Sequence, residues 1–125
     1  MIFDWSEYLN LAQEMAGFAA APSSQEAKLR SAVSRAYYAT FCKARNHLRD
    51  KEGHQIPSSG DAHIYVRDQF QNSKDRLRRG IGSTLNRLRI DRNKADYDDV
   101  VRSLPSMTTS VLSQAARVIS DLGRL

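Results

Sequence analysis

Residues 24–49 read SQEAKLRSAVSRAYYATFCKARNHLR, and their apolar positions recur with helical rather than strand periodicity. Turned by about 100° per residue, Leu29, Val33, Ala36, Tyr37, Thr40, Phe41, Ala44 and Leu48 fall in one broad stripe. No glycine or proline interrupts the run, so the spacing predicts one long helix with its stripe buried against neighbours. Upstream, Pro22-Ser23-Ser24 separates it from a first helix that starts at Asp4, where Glu7 three residues on fits a relaxed capping box. That helix is expected to run through Leu9, Ala12 and Met15 to the Gly17–Ala21 region. Downstream, KEGHQIPSSG at 51–60 reads as a surface loop. A third helical region opens after Asp61, with His63, Val66 and Phe70 on one face, and resumes past Asn72-Ser73 through Leu77, Ile81, Leu85, Leu88 and Ala95. After Asp98-Asp99 and Pro105 comes a last helix, with Val111, Leu112, Ala115, Val118, Ile119 and Leu122 expected inward. The expected fold is all-α: an up-and-down bundle of four to five helices, with residues 1–125 as a single domain. Gly80 and Gly82 weaken the third region locally, and two readings stand: plain helix weakening, or close packing of another backbone.

The 125 residues carry 19 Lys+Arg and 14 Asp+Glu, a net charge of +5, with a single cysteine. A chain of this length supports one core and leaves no room for a catalytic domain plus a regulatory one. The lone Cys42 excludes an intramolecular disulfide and an all-cysteine zinc site, and suits a reducing compartment. No long apolar run exists, and MIFDWSEYLN has acids where a secretory signal needs bases, so a soluble cytoplasmic protein with no membrane contact is expected. A pI near 9.7 points to an acidic partner: RNA, DNA, a nucleotide or an acidic protein. The charge is unevenly placed. Residues 1–27 hold Asp4, Glu7, Glu14 and Glu26 and no base. Residues 74–94 hold Lys74, Arg76, Arg78, Arg79, Arg87, Arg89, Arg92 and Lys94 against two acids, a local net of +6.

Metal motifs fail, because His47, His54 and His63 have no partner at ligand spacing, and no phosphate loop or dinucleotide fingerprint occurs. No cofactor is expected. Cys42 has no sequence-local base and reads as a packing residue. Arg92 is the sharper anomaly, since it falls on the apolar stripe between Leu85, Leu88 and Ala95. Either it pairs structurally with Asp96 at i+4, or it lines a cleft and meets phosphate. Tyr37 lies on the buried stripe of its helix, whereas Tyr38 shares the opposite side with Ser34, Cys42 and Arg45. Tyr38 therefore faces either solvent or a second copy of the chain.

The stretch Arg30-Ser31-Ala32-Val33-Ser34-Arg35-Ala36-Tyr37-Tyr38-Ala39-Thr40-Phe41 resembles the SRAYYAxF helix of the HEPN domain family, in particular its small stand-alone prokaryotic members. His63 with Val66 and Phe70 is similar to that family's next helix, and Leu88 to Asp98 resembles its LRxxRxxADYD signature. The resemblance spans roughly residues 24–120. It implies a homodimer in which polar motifs of both subunits face one cleft, with Arg35, Tyr37, Tyr38 and His63 at the interface or cleft. It also implies RNA as the target, a toxin–antitoxin or phage-defence setting, and a minimal nucleotidyltransferase as antitoxin partner. The family's ribonuclease motif is an Arg, four to six residues, then His. Here Arg92 is kept and Tyr97 stands where the His is expected. Tyrosine, with an ordinary pKa near 10, is a poor base at neutral pH, so Arg92, Asp96 and Tyr97 together suit phosphate binding better than rapid metal-independent cleavage. On this reading Lys74, Arg76, Arg78, Arg79, Arg87, Arg89 and Lys94 track RNA phosphates. The literal Arg49-x4-His54 falls at a helix end and loop, outside the place the family motif occupies. Two alternatives stand beside this reading: a ribonuclease toxin in which Arg92 stabilises the transition state and Tyr97, His63 or His54 supplies the missing acid or base, and a non-catalytic interaction module pairing with the nucleotidyltransferase, its acidic first helix and basic third region serving complementary docking.

Overall fold

A computed structural model describes residues 3–17 and 22–125 of the chain. Five helices form, and among the described residues there is no strand: α1 (Ser6–Met15), α2 (Gln25–Glu52), α3 (Asp61–Gln71), α4 (Arg76–Tyr97) and α5 (Leu104–Leu122). They pack as a bundle in which α2, α4 and α5 lie against one another and α3 lies along α4. No helix among the described residues is long and apolar enough to cross a membrane.

The boundaries follow from local chemistry. The Ser24 backbone is extended and its hydroxyl accepts from the Ala27 amide at 3.1 Å, an N-cap that opens α2 where expected. α2 outruns the expected end at Arg49 by three residues, because Gly53 (φ 72°) supplies the left-handed residue that closes a helix. The Asp75 carboxylate caps α4 by accepting from the Arg78 amide at 3.0 Å. Pro105 sits in the first turn of α5, where its missing N–H removes no helical bond.

The main core takes Val33, Tyr37, Phe41, Ala44 and Leu48 from α2, Val66 and Phe70 from α3, Ile81, Leu85, Leu88 and Ala95 from α4, and Val111, Ala115, Val118 and Leu122 from α5. Two details of the expected stripes change. Leu112 is exposed and Ile119 half-buried, because the α5 face is completed by Leu104 and Thr108, a register that leaves position 112 one step outside it. α1 starts at Ser6 rather than Asp4, since the Asp4 carboxylate folds into a turn, accepting from the Ser6 amide at 3.0 Å and hydroxyl at 2.7 Å. Leu9, Ala12 and Met15 are exposed, and α1 instead buries Leu11 in a second, smaller cluster with Phe3 and Ala27. α1 ends at Met15, and residues 18–21 of the expected Gly17–Ala21 terminus lie outside the described residues.

The N-terminal acids make hydrogen bonds and ion pairs within the chain. Glu7 reaches across to the Ser24 amide at 3.0 Å rather than back to its own helix start. Glu14 accepts from the Ser23 amide at 2.9 Å and its hydroxyl, and Glu26 pairs with Arg30 at 3.0 Å. Arg30 is fully buried at the junction of α2, the end of α4 and the Phe3–Trp5 pair.

The two glycines of α4 divide between their two readings. Gly80 faces open space, whereas Gly82 lies against the Gln71 backbone at the end of α3. Close packing of a second backbone therefore holds at Gly82 alone.

Candidate functional site

α2, α3 and α4 converge on one polar cluster around Arg92. Arg92 is 6% exposed, and its Nη1 donates to the Tyr38 hydroxyl at 3.3 Å. It lies 5.2 Å from the ring centroids of both Tyr37 and Tyr38, within cation–π range. Its carboxylate partner, Asp96, is 3.7 Å away and also accepts from the Ser34 hydroxyl at 3.1 Å. The structural and functional readings of Arg92 thus coexist: the i+4 pair forms, but it is long, and the Arg92 Nε is buried without a hydrogen-bond partner.

Across the cluster, the Tyr37 hydroxyl and His63 Nδ1 share a hydrogen bond of 2.6 Å. The His63 ring stacks on Phe41 with centroids 4.2 Å apart. Burial pushes the imidazole pKa below its ordinary 6.5, and Arg89 and Arg92 push it further in the same direction. Burial raises the Tyr37 phenol to about 12, opposed by the same two guanidiniums. At neutral pH both groups are uncharged, so their shared proton can sit in two ways. With Tyr37 donating, Nε2 carries the ring proton and is a donor; with Tyr37 accepting, Nε2 is bare and basic.

Arg89 is the residue whose role the sequence misplaces. It does not run along a solvated basic face with its neighbours; it joins Arg92 at the cluster, half-buried, with its Nε buried and unpartnered. The i, i+3 spacing of Arg89 and Arg92 was the available signal, hidden by the other six bases of the segment. The centre therefore holds two guanidiniums against the one carboxylate of Asp96, with neutral His63 and phenols around them. A partly desolvated positive excess of this kind favours an anion.

Tyr97 is not brought to this centre. It is the last residue of α4, 71% exposed, and lies about 140° around the helix from Arg92. Arg35 is also elsewhere, exposed beside α1 with its Nε donating to the Ser31 hydroxyl at 3.2 Å. Of the expected phosphate-tracking bases, Arg78 makes a bidentate pair with Glu52 at 2.7 and 3.0 Å over the Phe70 ring, so it braces the fold. Lys74, Arg76, Arg79, Arg87 and Lys94 are exposed. Tyr38 is 40% exposed even though it contacts Arg92, so its second face is open. His54 bonds the Tyr65 hydroxyl at 2.7 Å while Arg49 pairs with Asp50, so the literal Arg49-x4-His54 forms no joint site.

The depressed His63 pKa has a consequence for stability. Below about pH 6.5 the unfolded chain binds a proton at this position that the folded chain resists, so stabilisation present above 6.5 is lost as the pH falls toward the folded value. Thermal melts from pH 7 to pH 5 are expected to drop more steeply for wild type than for His63→Phe, which keeps the ring stack. Equal slopes would show that His63 is not held neutral by its surroundings.

No family model matches the chain, and no solved structure matches it. Among curated proteins, it is similar to an uncharacterised protein of Methanocaldococcus jannaschii, 28% identical over 111 residues. The match takes in 78% of this chain and 62% of that protein, so the chain spans less than two thirds of the relative's length.

Proposed function

We propose that this chain is a HEPN-type protein that binds RNA, holding a phosphate at the Arg89–Arg92 centre, in a toxin–antitoxin or phage-defence setting. The observation that carries this reading is the pair of guanidiniums beside Tyr37 and His63, Arg92 buried and Arg89 half-buried, each with its Nε unpartnered and only Arg92 paired, at 3.7 Å, with the Asp96 carboxylate. Guanidinium forks match phosphate geometry, and a bound phosphate would neutralise the excess charge. Tyr38, 40% exposed beside Arg92, adds a flat surface on which a base can stack. The half-exposed Tyr38 face, with Ile64 also exposed, suits a homodimer interface beside this centre.

Anisotropy titration with a short labelled RNA at low ionic strength tests the reading. Arg92→Met is expected to weaken binding by about tenfold or more, the scale of a lost charge-assisted contact, while retaining a cooperative melt. A variant that binds as wild type does would refute phosphate binding at this centre. Retained binding of a nucleotidyltransferase partner by that variant would then favour the interaction-module reading.

Cleavage is a second reading, favoured by the neutral His63 beside Arg92. In the tautomer with bare Nε2, His63 could take the proton of a ribose 2′-hydroxyl as its oxygen attacks the adjacent phosphorus and the 5′ oxygen leaves. That oxygen needs a proton in turn, and with Tyr97 outside the cluster and Tyr37 at about 12, the acid is the weak part of this scheme. Equal growth of bacteria induced for wild type and Arg92→Ala would argue against a toxic ribonuclease.

A further inference from the structure

A second positively charged site lies on the other side of α4. Arg76, Gly80, Ser83 and Arg87 recur at spacings of four, three and four, a stripe about 120–180° around the helix from Arg92. α5 closes the opposite wall with Arg117 and Val118, and the groove between the helices encloses about 920 Å³. Arg79 also lines it, its Nη1 held by the Lys74 carbonyl at 2.6 Å.

The charges in this groove are not balanced. Among the described residues, Arg76, Arg87 and Arg117 form no ion pair with a carboxylate. The two acids at its ends are already engaged: Asp75 caps α4, and Asp121 pairs with Arg124 at 3.6 Å. Gly80 forms part of the lining, and a Cβ there would meet nothing within 4 Å, so an incoming chain can approach the helix backbone closely.

We propose that this groove binds the sugar-phosphate backbone of single-stranded RNA as a second contact, separate from the Arg92 centre. Arginines select phosphate oxygens through paired N–H donors. The described lining contains no aromatic side chain on which a base could stack, so the groove holds backbone without reading sequence. Packed helices lie about 8–10 Å apart axis to axis, and the furrow between them accommodates one chain of phosphates rather than a duplex. The inference rests on the RNA-binding reading for the identity of its ligand, but the two sites occupy opposite faces of α4 and can fail separately.

Anisotropy titration of the full chain with a fluorescein-labelled 12-nucleotide oligouridylate, at a series of salt concentrations, tests it. The double variant Arg87→Gln/Arg117→Gln is expected to bind about tenfold more weakly at low salt. Its slope of log affinity against log salt should be shallower by about 1.4, the value for two lost single-strand phosphate contacts. Gly80→Glu should weaken binding by placing a carboxylate in the groove while raising the melting temperature, an outcome that loss of structure cannot imitate. Wild-type affinity and slope in both variants, with binding lost in Arg92→Met, would overturn the groove and leave the Arg92 centre standing. Loss in the groove variants with Arg92→Met unchanged would support the groove and overturn the centre. Absence of wild-type binding to the oligonucleotide at low salt would overturn both, and equal or tighter binding of polyglutamate at the groove would replace RNA there by an acidic protein.

Discussion

Arg30→Met is expected to destabilise the fold by about 3–5 kcal/mol, the scale on which removing one member of a buried charged network acts. Arg30 is fully buried, and its guanidinium closes the C-terminal end of α4. Nη1 donates to the carbonyls of Ala95 at 2.9 Å and Asp98 at 2.7 Å, and Nη2 to that of Asp99 at 3.3 Å. Nε meets Glu26 at 3.0 Å, while the Phe3 and Trp5 rings lie 4.3 and 5.0 Å from the guanidinium carbon. Methionine fills part of the volume but leaves three carbonyls without these donors and Glu26 without its partner. Against a total stability of about 5–15 kcal/mol for an ordinary domain, the loss is large. Arg30→Lys should recover little, because one ammonium cannot span three carbonyls and a carboxylate with a planar fork. Urea unfolding of the three proteins measures this, and a loss below about 1 kcal/mol in Arg30→Met would show that the network does not hold the end of α4 in place.

Gly82→Ala should cost about 2–3 kcal/mol even though alanine is the better helix former. An ideal Cβ at position 82 would stand 2.6 Å from the Gln71 Cα and 2.7 Å from its Cβ, and would crowd the Gln71 amide as well. The obstacle is largely backbone, so relief requires α3 and α4 to move apart, opening the core where Phe70 and Ile81 are fully buried. Gly80→Ala is the matched control. With nothing near its Cβ, it should stabilise by about 0.5–1 kcal/mol, through helix propensity and a less flexible unfolded chain. Opposite signs from two glycines two residues apart in the same helix would isolate the close approach; two stabilising substitutions would overturn it.

The helices were legible because their signals are local. Ser24 caps α2 three residues ahead of itself, and the stripe from Val33 to Leu48 repeats within a single element. The same locality explains the errors. Asp4 and Glu7 read as a capping box, yet Glu7 bonds to Ser24, and only the packing of α1 against α2 makes that possible. The site was half legible: Arg92 stood out as a charge on an apolar stripe, and Asp96 lay one turn on. Its approach to Tyr38 and the Tyr37–His63 bond join positions in different helices, which periodicity does not relate.

The sequence by itself determined an all-α chain, the approximate extent of its helices and a basic segment running into Arg92. Only the tertiary structure sorted that segment, turning Arg89 and Arg92 toward His63, engaging Arg78 with Glu52, and leaving Arg76 and Arg87 across a groove from Arg117. The physical reason is that side-chain propensity and hydrophobic periodicity act over a few residues, whereas the partner that neutralises a charge is chosen by packing. Arg30 illustrates the distance involved, since the carbonyl it caps at Ala95 lies 65 positions along the chain.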